Sequence, residues 1–126
     1  MANIQNTGIR RLLNAVIFSK KGFQVAWKKE EAFRQEIICC IFVIPLGFWL
    51  GTTYTQRAIL IGFFMIIPIT ELLNAGIETV VDRISKEHHV LSGQAKDIGS
   101  AAVFLSICTN LIVWGLIAYE RFFRSM

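Results

Sequence analysis

The residues best suited to chemistry lie in one stretch, Glu71-Leu-Leu-Asn74-Ala-Gly76-Ile-Glu78-Thr-Val-Val-Asp82-Arg83, which closes the second of three apolar segments. Glu71, Asn74, Glu78 and Asp82 stand at i, i+3, i+7 and i+11, a spacing that places them along one face of a helix. An ionisable residue at membrane depth costs roughly 2.5–3.5 kcal/mol, so it implies protein or water around it and usually a site. The competing reading is a polar face that only holds helices together. Glu71 and Glu78 are about 10.5 Å apart along an ideal helix, too far to clamp one ion unaided. Different roles follow: the deeper, partly desolvated Glu71 could act as a base. Glu78, at the water boundary, could hold a metal with a carboxylate from elsewhere. Glu30, Glu78, Asp82 and Asp97 are hard oxygen ligands that suit Mg²⁺ better than Zn²⁺.

Other chemistries find no support. Neither GxxxxGK[ST] nor GxGxxG occurs. His88 and His89 are adjacent, and on a helix they point about 100° apart, poorly placed to chelate one ion. Cys39, Cys40 and Cys108 lie in apolar runs without CxxC spacing and read as reduced, small hydrophobes.

The elements that must position these groups follow from composition. Of 126 residues 54% are hydrophobic, and the mean hydropathy is +0.52, which suits a small integral membrane protein of one unit, residues 1–126. Residues 4–27 are expected to form an amphipathic surface helix, with Ile9, Leu12, Leu13, Val16, Ile17 and Phe23 on one stripe. No signal-peptide pattern precedes the first span, which is expected to be retained. Three spans are expected at residues 32–50, 58–81 and 98–119. Glu30 and Arg34 could pair at i, i+4, and Pro68 should bend the second span one turn before Glu71. Gly47 and Gly51 have a GxxxG spacing that could bring helices close. The polar run from Arg83 to Asp97 reads as a loop or helix extension, with a break at Ser92-Gly93.

The net charge of +4 could suggest nucleic acid, but the basic residues gather beside the apolar segments, as contact with anionic headgroups requires. Arg10, Arg11, Lys20, Lys21, Lys28, Lys29 and Arg34 precede the first span, and Arg83, Lys86 and Lys96 separate the second from the third. Arg57, Arg121 and Arg124 remain for the opposite side, so the positive-inside rule puts the N-terminus and the acidic groups in the cytoplasm. A three-helix chain has little interior for these polar groups, so oligomerisation within the membrane is expected. Residue physics alone supports an ion- or proton-conducting oligomer as well as an enzyme.

The motifs go further. Glu31-Ala-Phe-Arg-Gln-Glu36, Glu71-x-x-Asn74-x-x-x-Glu78-x-Val-Val-Asp82-Arg83 and Leu91-Ser-Gly-x-Ala-Lys-Asp97-x-Gly-Ser-Ala-Ala102 resemble the prokaryotic diacylglycerol kinase family, in order and over nearly the whole chain. The resemblance implies a homotrimer in the bacterial inner membrane, each protomer with three transmembrane helices and a surface helix. It implies transfer of the γ-phosphoryl group of MgATP to the hydroxyl of diacylglycerol, giving phosphatidic acid. By the same resemblance Glu71 would be the base, Asn74 would shape the site beside it, and Glu30 and Glu78 would hold the metal. Lys96 would stand near the transferring phosphate and Asp97 nearer the nucleoside, with Glu87, His89, Arg11 and Ser19 as further ATP contacts. Trp27, Ala32, Phe33, Arg34, Gln35, Glu36, Ser100 and Trp114 would face the lipid substrate, together with Glu71. Pro68, His88 and Gln94 stand where the family pattern has an apolar residue, an aromatic and an arginine. Undecaprenol kinases share the architecture and offer an alternative lipid; the full surface helix and the Glu31–Glu36 block favour diacylglycerol.

Overall fold

A computed structural model describes residues 7–124; residues 4–6 of the expected surface helix lie outside the described residues. Four helices run in order: α1 (Gly8–Lys29), α2 (Glu31–Leu50), α3 (Tyr54–Ile84) and α4 (Val90–Tyr119), the last continuing into a π-helical turn, Glu120–Arg124. The segments Glu31–Leu50, Tyr54–Ile84 and Val90–Arg124 are long and apolar enough to cross a membrane.

Lys28 and Lys29 occupy the last turn of α1, where cations complement the helix dipole. Glu30 is the extended residue that separates α1 from α2, with φ −110° and ψ 103°. The expected Glu30–Arg34 pair is corrected here. The Arg34 guanidinium turns back instead and donates to the carbonyls of Trp27 (2.6 Å) and Lys28 (3.1 Å), satisfying acceptors that every helix end leaves orphaned. Phe33 is buried and stacks on Phe23, with ring centroids 6.4 Å apart, so α1 is tied to the head of α2 by one aromatic contact and one arginine cap.

The turn from α2 to α3 is closed by side chains. Thr53 Oγ1 accepts from the Gln56 amide at 3.1 Å, and Gln56 Oε1 accepts from the Thr52 amide at 2.8 Å, a near relative of the capping box. Arg57 Nε donates to Phe48 O (3.0 Å) and Gly51 O (3.2 Å), closing the end of α2. Of the two expected GxxxG glycines, Gly47 makes the helix contact: a Cβ there would meet Ile61 Cγ1 at 3.2 Å and Leu60 Cβ at 3.6 Å. Gly51 serves the helix end, where a Cβ would press on Arg57.

α3 packs most extensively on α4. Buried positions on α3 include Leu60, Ile67, Asn74 and Val81, and on α4 Gly99, Ser106, Asn110 and Ile117. Their spacings of seven and four are those of a left-handed helix pair. At one end Leu50, Leu60 and Ile117 form the apolar cluster, with Trp114 packed against it. Towards the middle the contact becomes polar. Asn110 Nδ2 donates to Phe63 O at 2.7 Å, and Thr70 Oγ1 to Ser106 Oγ at 3.2 Å. Pro68 leaves Phe64 O without its usual amide, and α3 continues unbroken through it, with Asn110 and Thr70 bonding backbone carbonyls on either side.

The third spanning helix departs from expectation at its start. Ser92 and Gly93, expected to break the chain, lie in the first turns of α4, and the non-helical link is confined to Ser85–His89. His89 is the reason: its Nδ1 accepts from the Leu91 amide at 3.1 Å and caps the helix before Ser92 is reached. Leu60 has no exposed surface, so Leu60→Ala should cost roughly 2–5 kcal/mol. Denaturant titration of the protein in mixed micelles would check this, and an unchanged midpoint would show that the cluster does not hold α2, α3 and α4 together.

Candidate active site

The stripe read from the sequence is real in three dimensions, and its members differ in surroundings. Glu71 and Asn74 retain only 8% exposure each, Glu78 is half-buried, and Asp82 is exposed. Asn74 Nδ2 donates to Glu78 Oε1 at 3.3 Å, one turn further along the helix. Glu71 is within electrostatic reach of Glu30 and Glu78, and Glu36 of Glu71. Four carboxylates therefore converge from three places: the α1–α2 junction, the first turns of α2 and the stripe of α3. Glu36 Oε1 and Asn74 Oδ1, like Asn110 Oδ1 and Trp114 Nε1 elsewhere, are buried without a hydrogen-bond partner among the described residues. Buried polar atoms of this kind are rare unless another molecule satisfies them.

Gly99 makes the arrangement possible. It is the buried glycine of α4 facing Asn74, and a Cβ there would collide with Asn74 Oδ1. Gly99-Ser-Ala-Ala is a run of small residues that lets another helix come near, and the group that meets Gly99 is a side-chain amide. Lys96, one turn earlier, forms an ion pair with Asp82 at 2.9 Å and is within electrostatic reach of Glu78. No sequence pattern pointed to that pair. It depends on the register of α3 against α4, which the Ser85–His89 link limits.

Two clefts flank the stripe. One, of about 500 Å³, separates α1 from α3 and is lined by Ser19, Ala26, Glu30, Ala75, Gly76 and Thr79. The other, of about 470 Å³, lies over the α3–α4 link and is lined by Asp82, Lys86, Glu87, His89, Ser92 and Lys96. Ser19 and Glu30 thus share the first, and Glu87, His89 and Lys96 the second. A third hollow, of about 890 Å³, runs along α1 and includes Trp27 and Phe33.

Other predicted site residues are placed elsewhere. Arg34 is occupied by its cap on α1, Gln35 donates to Glu31 at 3.4 Å, and Ala32 is half-buried beside Phe33. Arg11, Asp97 and Ser100 are exposed. Trp114 packs near Gly47 and Leu60, about 22 Å along α4 from Gly99. Within one chain, then, Trp114 belongs to the apolar end of the α3–α4 contact, away from Asn74 and Gly99.

The half-site has a chemical logic. A sheltered carboxylate beside a carboxamide, with further carboxylates and a lysine at its water-facing end, offers a base, ligands for a hard cation and a positive group for an anion. Among the described residues no group of three His, Cys, Asp or Glu side chains is assembled as a closed metal cage.

Comparison with known proteins agrees with this chemistry. The chain is 43% identical over 122 residues to the diacylglycerol kinase of Escherichia coli (strain K12), covering 97% of this chain and 99% of that one. It is 44% identical over 115 residues to the diacylglycerol kinase of Haemophilus influenzae, covering 91% and 98% of the two chains. Identity to the diacylglycerol kinase of Pseudomonas aeruginosa is 42% over 111 residues, covering 88% and 90%. Residues 17–118 match the family described as prokaryotic diacylglycerol kinase. The span includes Glu30, Glu36, Glu71, Glu78 and Lys96, and with it the chain belongs to the prokaryotic diacylglycerol kinase family and is a kinase.

Proposed function

We propose that this protein transfers the γ-phosphoryl group of ATP to the hydroxyl of 1,2-diacylglycerol, giving phosphatidic acid, from the cytoplasmic side of the bacterial inner membrane. The observation that carries the reading is the stripe itself: Glu71 is buried beside Asn74, and Glu78 stands at its water-facing end. Glu71 is the base that takes the lipid hydroxyl proton. Asn74 shapes the site, its amide held by Glu78 and its position by the missing side chain of Gly99.

Glu30 and Glu78 are the side chains that would hold Mg²⁺. Two carboxylates plus nucleotide phosphates are an ordinary Mg²⁺ set, and the convergence of Glu30 and Glu78 on Glu71 fits it. The ion would neutralise phosphate charge when bound. Lys96 faces the transferring phosphate, and Asp97, Glu87, His89, Arg11 and Ser19 contact the rest of the nucleotide. Trp27, Ala32, Phe33, Arg34, Gln35, Glu36, Ser100 and Trp114 form the lipid side. Phosphoryl transfer of this kind works by placement and charge, and the residues require no covalent intermediate.

α1 is read as an amphipathic helix on the membrane surface; Ile9, Leu12, Leu13, Val16 and Ile17 are exposed on the single chain and would enter the headgroup region. The distribution of lysine and arginine supports a cytoplasmic N-terminus and site. A homotrimer with sites shared between neighbours would cover polar groups that a three-helix chain has little interior to hide, and Arg11, Asp97 and Ser100 are exposed on the single chain.

The direct test is a labelled-ATP assay on purified protein in mixed micelles, with diacylglycerol and undecaprenol offered separately. Labelled phosphatidic acid is expected, and no labelled lipid from diacylglycerol would overturn the proposal. Glu71→Gln should abolish turnover while leaving MgATP binding largely intact; near-normal turnover would remove Glu71 as the base. Glu78→Gln should raise the Mg²⁺ concentration needed for half-maximal rate, and an unchanged titration would count against it as a ligand. Gly99→Ala should lower kcat by pushing Asn74 aside, roughly tenfold or more. Wild-type kinetics in that variant would show that Asn74 does not need its present position.

A further inference from the structure

We propose that Asp82 is the positioning residue for Lys96, holding its ammonium at the mouth of the cleft before nucleotide arrives. Asp82 Oδ1 lies 2.9 Å from Lys96 Nζ, and both side chains line the cleft over the α3–α4 link, with Lys86, Glu87 and His89 around them. The proposal rests on the reading of Lys96 as the side chain that faces the transferring phosphate.

The pair is poorly suited to a purely structural role. Its side chains are 43% and 53% exposed, and an ion pair so exposed contributes little to stability. The α3–α4 contact already has Asn110 on Phe63 O and Thr70 on Ser106, so the pair is not needed to hold the helices. What it does fix is the end of a long, flexible side chain. Lysine presents a point charge on a four-carbon stem with many rotamers, and ordering it at the moment of reaction would raise the barrier.

Geometry allows Asp82 to do this without consuming the charge. An ammonium has three N–H donors. Asp82 occupies one, leaving two for phosphate oxygens on the open side of the cleft. Glu78 is the competing partner within electrostatic reach of Lys96. It lies one turn nearer Asn74, so a lysine released by Asp82 would swing towards the carboxylate proposed to hold the cation. Asp82, one turn further out on the same stripe, draws Lys96 away from it.

The test uses the full-length protein in mixed micelles with diacylglycerol and MgATP. Asp82→Ala and Asp82→Asn should each lower kcat roughly tenfold or more, because displacement of a catalytic group costs turnover. KM for MgATP should stay within about threefold, the pattern of an interaction felt mainly in the transition state. Asp82→Glu, which keeps the carboxylate, should recover part of the lost kcat. Combined with Lys96→Arg, the loss should be less than multiplicative, since both changes disturb one unit. A kcat within about twofold of wild type in Asp82→Asn, or losses that multiply fully with Lys96→Arg, would overturn the assignment. Near-normal turnover in Lys96→Gln would sink the reading of Lys96 itself. An inactive Lys96→Gln beside a fully active Asp82→Asn would sink only the role of Asp82.

Discussion

A carboxylate cannot be left in the hydrocarbon of a bilayer without protein or water around it, and the arrangement of α3 and α4 answers that constraint. Glu71 and Asn74 lie on the seam between two spanning helices, where Gly99 gives up its side chain to make room for the amide. The same seam carries Thr70, Ser106 and Asn110, whose hydrogen bonds run between the helices and to backbone carbonyls beside Pro68. In lipid, apolar surface gives no preference for helix over solvent, so association depends on close packing and such bonds. The polar seam thus holds the helices together and supplies the floor of the candidate site.

The division of the seam by depth explains why one helix face can serve two ends. Around Leu60 and Ile117 the contact is apolar and tightly packed. Around Asn74 it is polar, and Asn74 Oδ1 and Glu36 Oε1 have no partner among the described residues, as Asn110 Oδ1 and Trp114 Nε1 have none further along. A finished core would pair those atoms.

Much of this was legible in the residues. The stripe Glu71, Asn74, Glu78, Asp82 follows from helical periodicity, and the three apolar segments follow from length and hydropathy. What failed was local. Glu30 and Arg34 have the spacing of a helical pair, but the helix breaks at Glu30, and the orphaned carbonyls at the end of α1 take up Arg34 instead. Ser92-Gly93 has the composition of a break, yet a capping histidine three residues earlier starts α4 before it. Caps depend on backbone geometry, and their residues look ordinary in sequence.

The contacts that were not legible share a cause. Gly99 with Asn74 and Asp82 with Lys96 each join two helices, so they depend on how far α4 slides along α3. Periodicity says which residues share a face and nothing about which opposite residue they meet. The short Ser85–His89 link limits how far the helices can slide, and Gly99 is the buried glycine of α4 that leaves room for Asn74. The offset that sets the Asn74 amide against Gly99 is also the one that pairs Lys96 with Asp82 at the exposed end of the stripe. The packing that shelters Glu71 and the placement of the positive charge above it are therefore consequences of the same fit.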